Sequence, residues 1–190
     1  MDLGCDPTLL NNKKKSAGVL ATYTFNDNLN IGYSNYVGDD SPEGDPVTHL
    51  RIYQNLFVNY QLNKLKIQVG GDVAMQENSD IYTNKSAVMY SGVAAFKYQC
   101  SKKFAAYIRA EVFNDDQGFM TGIFADNKGR LTGFKLWGAT GGVEYKPSDN
   151  SYVRLEGRQL QMDTDQEIYY WKGDLKSSRM EVMIDMGVTF

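Results

Sequence analysis

The sequence is poor in the residues that build metal centres and active sites, with one histidine and two cysteines among 190 residues. Two cysteines, Cys5 and Cys100, exclude a cysteine-based metal cluster and permit at most one disulfide. His49 stands at a loop edge, and no serine lies in the G-x-S-x-G setting of a hydrolase nucleophile. We therefore interpret His49 as an exposed loop-end residue rather than a catalytic base. The sequence predicts no enzyme, no metal site and no cofactor.

Long apolar runs and an excess of basic charge are also missing. No segment approaches the roughly 20 apolar residues of a membrane-spanning helix, and the mean hydropathy is −0.45. The formal net charge is −3, and no basic face compensates for it, which argues against a nucleic-acid partner. These observations do not exclude a membrane protein. The strands of a barrel expose apolar side chains on one face only, so their mean hydropathy is low.

Apolar and polar residues alternate in nine segments, each about as long as a strand that crosses a bilayer at a tilt. Only Gln54 interrupts the apolar face of the clearest segment, and Gly70-Gly71 predicts a bulge or bend. With 13 Tyr, 9 Phe and 18 Gly, the composition also suits many strands. The pattern predicts an all-β, antiparallel fold with strands in residues 16–25, 29–37, 49–62, 65–76, 88–98, 104–112, 137–145, 153–158 and 179–190.

The connections between these segments alternate in length. Short connections at 26–28, 63–64, 100–103 and 147–150 alternate with long ones at 38–48, 77–86, 115–131 and 163–177. Outer-membrane barrels combine short periplasmic turns with long external loops, and aromatic girdles lie at their interfaces. A soluble secreted β-sandwich that binds a ligand is the alternative, since its strands alternate for the same reason. The residues expected in a girdle beside the short turns are Phe25, Tyr60, Tyr98, Phe104 and Tyr145.

The faces opposite the apolar residues carry charges of both signs. In a pore, opposed charges can create a transverse field at a constriction and select hydrophilic solutes; alternatively, they neutralise each other in a plugged interior. We expect a constriction or an interior network of ion pairs where Arg154-x-Glu156-x-Arg158 lies beside Arg179-x-Glu181. The predicted pore-lining residues are Arg51, Arg109, Glu111, Arg154, Glu156, Arg158, Arg179 and Glu181. Lys66, Lys97, Asp72, Glu144 and Asp185 share these faces.

Two of the long connections are acidic. One contains Asp39, Asp40, Glu43 and Asp45, and the other contains Asp163, Asp165 and Glu167. Neither has the glycine and spacing of an EF-hand loop, so we interpret both as solvated external loops rather than Ca²⁺ sites.

Three segments resemble the putative beta-barrel porin-2, OmpL-like family of outer-membrane proteins. They are residues 50–65 (LRIYQNLFVNYQLNKL), 106–119 (AYIRAEVFNDDQGF) and 143–158 (VEYKPSDNSYVRLEGR), within a resemblance that begins near Gly18. The resemblance implies a transmembrane β-barrel with more than nine strands, since bacterial single-chain barrels have even strand numbers. Residues 1–190 would be its carboxy-terminal part, with 1–15 an external loop or the end of a preceding strand. Because residues 1–10 lack the features of a signal peptide, we expect this start to be internal to a longer precursor.

The expected function is a porin-like channel for passive diffusion of small hydrophilic solutes across the outer membrane of a Gram-negative bacterium. The alternative is a non-conducting barrel that serves as an anchor, adhesin or assembly component. The expected partners are outer-membrane lipid, lipopolysaccharide and the barrel-assembly machinery. Phe190, Val188 and Met186 alternate along the last segment and resemble a carboxy-terminal assembly signal.

Overall fold

A computed structural model describes residues 14–163 and 165–189, and it consists of strands and their connections. Each of the nine predicted segments is a strand over most of its length, so the all-β, antiparallel prediction is confirmed. In chain order the strands are β1 (Ser16–Asn26), β2 (Leu29–Asp39), β3 (Leu50–Leu62), β4 (Leu65–Gln76), β5 (Ala87–Gln99), β6 (Phe104–Asn114), β7 (Phe124–Ala125), β8 (Leu131–Thr132), β9 (Lys135–Tyr145), β10 (Ser151–Met162), β11 (Tyr169–Trp171), β12 (Asp174–Lys176) and β13 (Ser178–Val188).

The nine long strands form one sheet in the order β1-β2-β3-β4-β5-β6-β9-β10-β13, with β1 and β13 at its edges. Successive long strands are neighbours, as expected when short turns and loops join antiparallel strands. Two connections predicted as loops contain small hairpins, β7–β8 and β11–β12, whose strands of two or three residues are too short to show alternation. Cys5, Phe190 and most of the predicted segment 1–15 lie outside the described residues.

The strand pairing is staggered across the sheet. A line of directly paired residues that begins near the middle of β1 reaches the loop end of β10. Tilted strands in a barrel require such a stagger. The line runs through Leu20, Ser34, Asn55, Asp72, Ser91, Phe113, Leu136 and Met162.

The predicted bulge at Gly70-Gly71 is wrong. Gly70 pairs with Phe57 and Gly71 with Leu56 in an unbroken register, and the pairing with β5 is also continuous. A Cβ atom at Gly70 would lie 3.2 Å from the Cβ of Phe57. This glycine therefore makes room for a neighbouring side chain within a regular strand.

The sheet has two chemically different faces, which we call the outer and the inner face. The outer face bears the apolar positions, which protein does not cover: Leu56 is 52%, Ile108 63% and Val182 70% exposed. The inner face bears the charged positions and also the buried apolar residues. Among the described residues, no helix is long and apolar enough to cross a membrane. The buried apolar side chains are Ala74, Ala87, Met89, Ala105 and Met162.

Candidate functional site

The strand register brings the predicted pore-lining residues onto one surface. Arg109 pairs with Thr140, Thr140 with Arg158, and Arg158 with Glu181, so residues from β6, β9, β10 and β13 form one row across the inner face. Side chains alternate between faces along a strand. All eight predicted residues therefore lie on the inner face, and whether that face lines a pore stays a prediction.

Glu144 is the centre of one ionic cluster, near the short-turn end of the sheet. Its side chain is 1% exposed, and its two carboxylate oxygens lie 2.7 Å from Lys97 Nζ and 2.7 Å from Arg154 Nε. Arg154 also packs over the Tyr152 ring, with its guanidinium carbon 4.3 Å from the ring centroid. A buried carboxylate needs such partners, because an uncompensated buried charge strongly destabilises a fold.

Glu111 is the centre of a second cluster, near the middle of the inner face. Arg158 donates hydrogen bonds to its carboxylate from β10, two strands away, and Arg109 Nε lies 3.6 Å from it on β6 itself. Arg179 and Glu181 form a separate pair on β13, with 2.7 Å between Nε and Oε1.

The ion pairs therefore differ from the network expected for the two charged sequence motifs. Arg158 lies directly opposite Glu181, but its hydrogen-bond partner is Glu111. Arg154 bonds to Glu144, while Glu156 accepts a hydrogen bond of 2.8 Å from the Tyr107 hydroxyl. Arg154 and Glu144 are directly paired on neighbouring strands, but the contacts of Arg158 with Glu111 and of Tyr107 with Glu156 pass over β9. Such reach requires the inner face to be concave, and sequence alternation carries no information about it.

Asp72 is an inner-face carboxylate bound by neutral donors. Its oxygens accept hydrogen bonds from the Tyr53 hydroxyl, the Ser91 hydroxyl and the Asn55 amide. The charge prediction included Asp72 but could not identify its partners, because polar uncharged residues gave no distinctive signal. This cluster leaves a net negative charge between β3 and β5.

The concave surface encloses a volume of about 560 Å³. Residues from seven strands, β2 to β6 with β9 and β10, line it together with the turn between β1 and β2. Arg109, Arg154 and Glu156 are the predicted residues in this lining. The polar lining also includes Asn30, Asn59, Gln68, Lys66, Lys97, Tyr107 and Thr140.

Three aromatic side chains on the inner face cover the backbone of a glycine directly opposite. The pairs are Phe57 with Gly32, Tyr107 with Gly142, and Tyr152 with Gly187. A Cβ at any of these glycines would overlap the aromatic ring. Cross-strand aromatic packing over glycine pins the register of a sheet and favours its curvature.

The connection between β6 and β9 folds back towards β3. Asp115, which is fully buried, accepts hydrogen bonds from the backbone N–H of Met120 and of Thr121 at 3.0 and 2.9 Å. In the same connection, the Phe119 carbonyl accepts a hydrogen bond of 3.4 Å from Arg51 on β3. The Arg51 guanidinium also packs over the Phe119 ring. Segment 115–123 therefore crosses the loop end of the inner face above β4 and β5, whose residues Ala74, Ala87 and Met89 are buried.

His49 joins two of the long connections. Its Nδ1 lies 3.1 Å from both the Glu77 carbonyl and the Ser79 hydroxyl, and its Nε2 lies 3.2 Å from Asp45. The side chain is 17% exposed, so the prediction of an exposed histidine is wrong because loop 77–86 covers it. The Ser79 hydroxyl also lies 2.9 Å from the Glu77 carbonyl, to which it donates. These contacts tie the loop ahead of β3 to the loop after β4.

Asp165 joins the two connections that contain hairpins. Its carboxylate lies 2.7 Å from Lys128 Nζ and 2.7 Å from an Arg130 nitrogen. The hydrogen bond from Lys128 and the charges of both cations hold the pKa of Asp165 below its usual range. Within the described part of the chain, no three His, Cys, Asp or Glu side chains are grouped to hold a metal ion. The carboxylates of Asp40, Asp45 and Asp165 instead bond to cationic side chains or His49.

An antiparallel sheet with an uncovered apolar face and a concave, charged face has the two-sided pattern of transmembrane β-barrel strands, although β1 and β13 are unpaired edges among the described strands. The chain belongs to the putative beta-barrel porin-2, OmpL-like family, whose model matches residues 3–190. The resemblance found in the sequence is thereby confirmed, and the match begins earlier than Gly18. No curated protein and no solved structure matches the chain.

Proposed function

We propose that this chain forms the wall of an outer-membrane pore, in a Gram-negative bacterium, through which small hydrophilic solutes diffuse passively. The observation that carries the proposal is the division between the two faces. An uncovered apolar face on this scale is unfavourable in water and suits contact with lipid. The charged concave face suits water and polar solutes. Membership in a porin family points the same way.

The strand lengths support this reading. The nine long strands contain 11 to 13 residues, and roughly 9–11 tilted residues cross a bilayer. Phe104 and Tyr145 contact each other at the short-turn end, with ring centroids 4.8 Å apart, where an interfacial aromatic girdle is expected. The partners in this proposal are outer-membrane lipid and lipopolysaccharide, and passage of solutes needs neither a cofactor nor turnover.

A non-conducting barrel is the second candidate, and segment 115–123 favours it. This segment covers the loop end of β4 and β5 and is fixed by Arg51 and Asp115. If the same contacts close the whole cross-section of the barrel, the protein would act as an anchor, adhesin or assembly component.

Conductance of the full-length protein in a planar bilayer separates these functions. Stable, ohmic steps in potassium chloride are expected for a pore. Arg51→Ser should raise their size, because it releases Phe119 from β3, whereas Arg130→Ser, which removes a charge outside this contact, should leave it unchanged. Insertion without conductance in the wild type and in both variants would support the non-conducting barrel.

A further inference from the structure

We propose that the inner-face concavity is a binding site for a small oxyanion, such as a phosphate- or carboxylate-bearing solute, held by Lys66, Lys97 and Arg109. This inference deepens the proposed function by naming a class of solute. These residues lie on the consecutive strands β4, β5 and β6, and all three line the concavity of about 560 Å³.

Lys66 and Lys97 are directly opposite each other in the β4–β5 register. Like charges at directly opposed positions destabilise a sheet. Lys97 is compensated by Glu144, but Lys66 forms no ion pair with any described residue. A lysine without an acidic partner, directly opposite a second lysine, is an arrangement that a bound anion would stabilise, and such departures from local rules of stability are expected mainly at functional sites.

Arg109 supplies the third cation and has unused hydrogen-bonding capacity. Its buried Nε has no hydrogen-bond partner among the described residues, since the nearest carboxylate oxygen, on Glu111, is 3.6 Å away. Its only hydrogen bond among the described residues is a long one of 3.4 Å to Thr140. A guanidinium offers five donors in a planar fork that matches carboxylate and phosphate oxygens.

The charged side chains that line the concavity include more basic than acidic groups. Four basic side chains and two acidic ones, Asp27 and Glu156, line the concavity. Glu144 is almost completely buried behind Lys97 and Arg154. The other polar side chains beside Lys66 and Lys97 are the neutral amides Asn59, Gln61 and Gln68, which can donate to an oxyanion. A bound anion would relieve the repulsion between the two lysines and satisfy Arg109.

The test measures the thermal unfolding midpoint of the full-length protein in an uncharged detergent while inorganic phosphate replaces chloride at constant ionic strength. For the wild type, we expect a saturable rise of roughly 5 °C when phosphate exceeds its dissociation constant about a hundredfold. Lys66→Gln should raise the midpoint in phosphate-free buffer, because the repulsion is removed, and should weaken phosphate binding by about tenfold. A lysine with only a structural role would not give both a higher unfolding midpoint without phosphate and weaker phosphate binding when it is replaced.

Lys64→Gln is the matched control, because Lys64 lies in the turn two residues away and does not line the concavity. Its phosphate response should equal that of the wild type. An identical response of Lys64→Gln and Lys66→Gln would overturn the inference, as would no response in the wild type. A response to lipopolysaccharide without one to inorganic phosphate would also overturn it. Binding is measured without conduction, so the two proposals can fail separately. A protein that binds phosphate but does not conduct would refute only the pore. A protein that conducts but does not bind phosphate would refute only the anion site.

Discussion

Arg154 and Glu144 lie on neighbouring strands with 2.7 Å between Nε and a carboxylate oxygen, and Lys97 reaches the same carboxylate from the opposite side. Glu144 thus joins β5, β9 and β10 on the inner face. Its two cationic partners are about one third exposed, so water screens the pairs in part. The carboxylate itself is excluded from water.

Glu144→Gln is expected to lower the free energy of unfolding by about 2–3 kcal/mol, because it removes two charge-assisted hydrogen bonds to a buried group. Denaturant titration of the refolded protein in detergent provides the measurement. Glu181→Gln is the matched control, because its partner Arg179 is mostly exposed, and it should cost less than about 1 kcal/mol. Equal losses in the two variants would contradict the central role of Glu144.

On the proposal that the inner face lines a pore, replacing Arg154, Arg158 and Arg179 by Ser should shift its ion selectivity towards cations, because three positive charges leave this face. The reversal potential under a salt gradient measures this shift, which should be larger at low ionic strength where screening is weak. Replacing Lys64, Lys103 and Lys146 by Ser removes the same charge from the short turns and should have a smaller effect. A conducting triple arginine variant with the wild-type reversal potential would argue against the predicted constriction.

Gly142→Ala should destabilise the sheet by about 1–3 kcal/mol, because the added methyl group overlaps the ring of Tyr107 and forces it to move. Displacement of the ring would also weaken the hydrogen bond from Tyr107 to Glu156. Gly141→Ala, one residue away on the outer face, meets no atom within 4 Å and should be tolerated. Unfolding midpoints of the two variants give the comparison, and the double variant Gly142→Ala with Tyr107→Ala should recover part of the loss.

Acidification should loosen the long connections before the sheet unfolds. The pKa of Asp165 is lowered in the folded protein by Lys128 and Arg130, so its contribution to stability is present above the unfolded value of about 3.9 and is lost as the pH falls through the lower folded value. Protease cleavage within residues 126–130 and 163–177 should therefore increase below about pH 4. Asp165→Asn should show the increased cleavage already at neutral pH. If wild type and variant were cleaved alike at every pH, these ion pairs would not hold the loops.

Deleting Phe190 from the full-length precursor should reduce insertion into the outer membrane, on the proposal that the assembly machinery recognises Phe190 with Val188 and Met186. Met186 and Val188 are exposed on the outer face of β13, where a partner can reach them. Protease-protected protein in the membrane fraction is the measure. Phe190→Tyr, which retains an aromatic end, should insert normally, whereas equal insertion after deletion would oppose the proposal.

The sequence predicted the strands well because alternation is a local property of each segment. The same alternation assigned Arg51, Arg109 and Glu181 to one face correctly, since the two faces differ in polarity over the whole sheet. Alternation could not predict that Arg158 bonds to Glu111 rather than to Glu181, because the partner that Arg158 reaches depends on the curvature of the sheet. Asp115 was also missed as an anchor, since its partners are backbone N–H groups that any sequence supplies.

Neighbour-to-neighbour pairing also determines the order in which the protein can fold. Each long strand pairs with the preceding long strand in the chain, so a growing sheet can add one hairpin at a time, and each step closes only a short stretch of chain. The contacts of Lys97 with Glu144 and of Arg158 with Glu111 span two strand positions and need a curved sheet. We expect these ion pairs to form last, so that variants which break them accelerate unfolding and leave the rate of folding nearly unchanged.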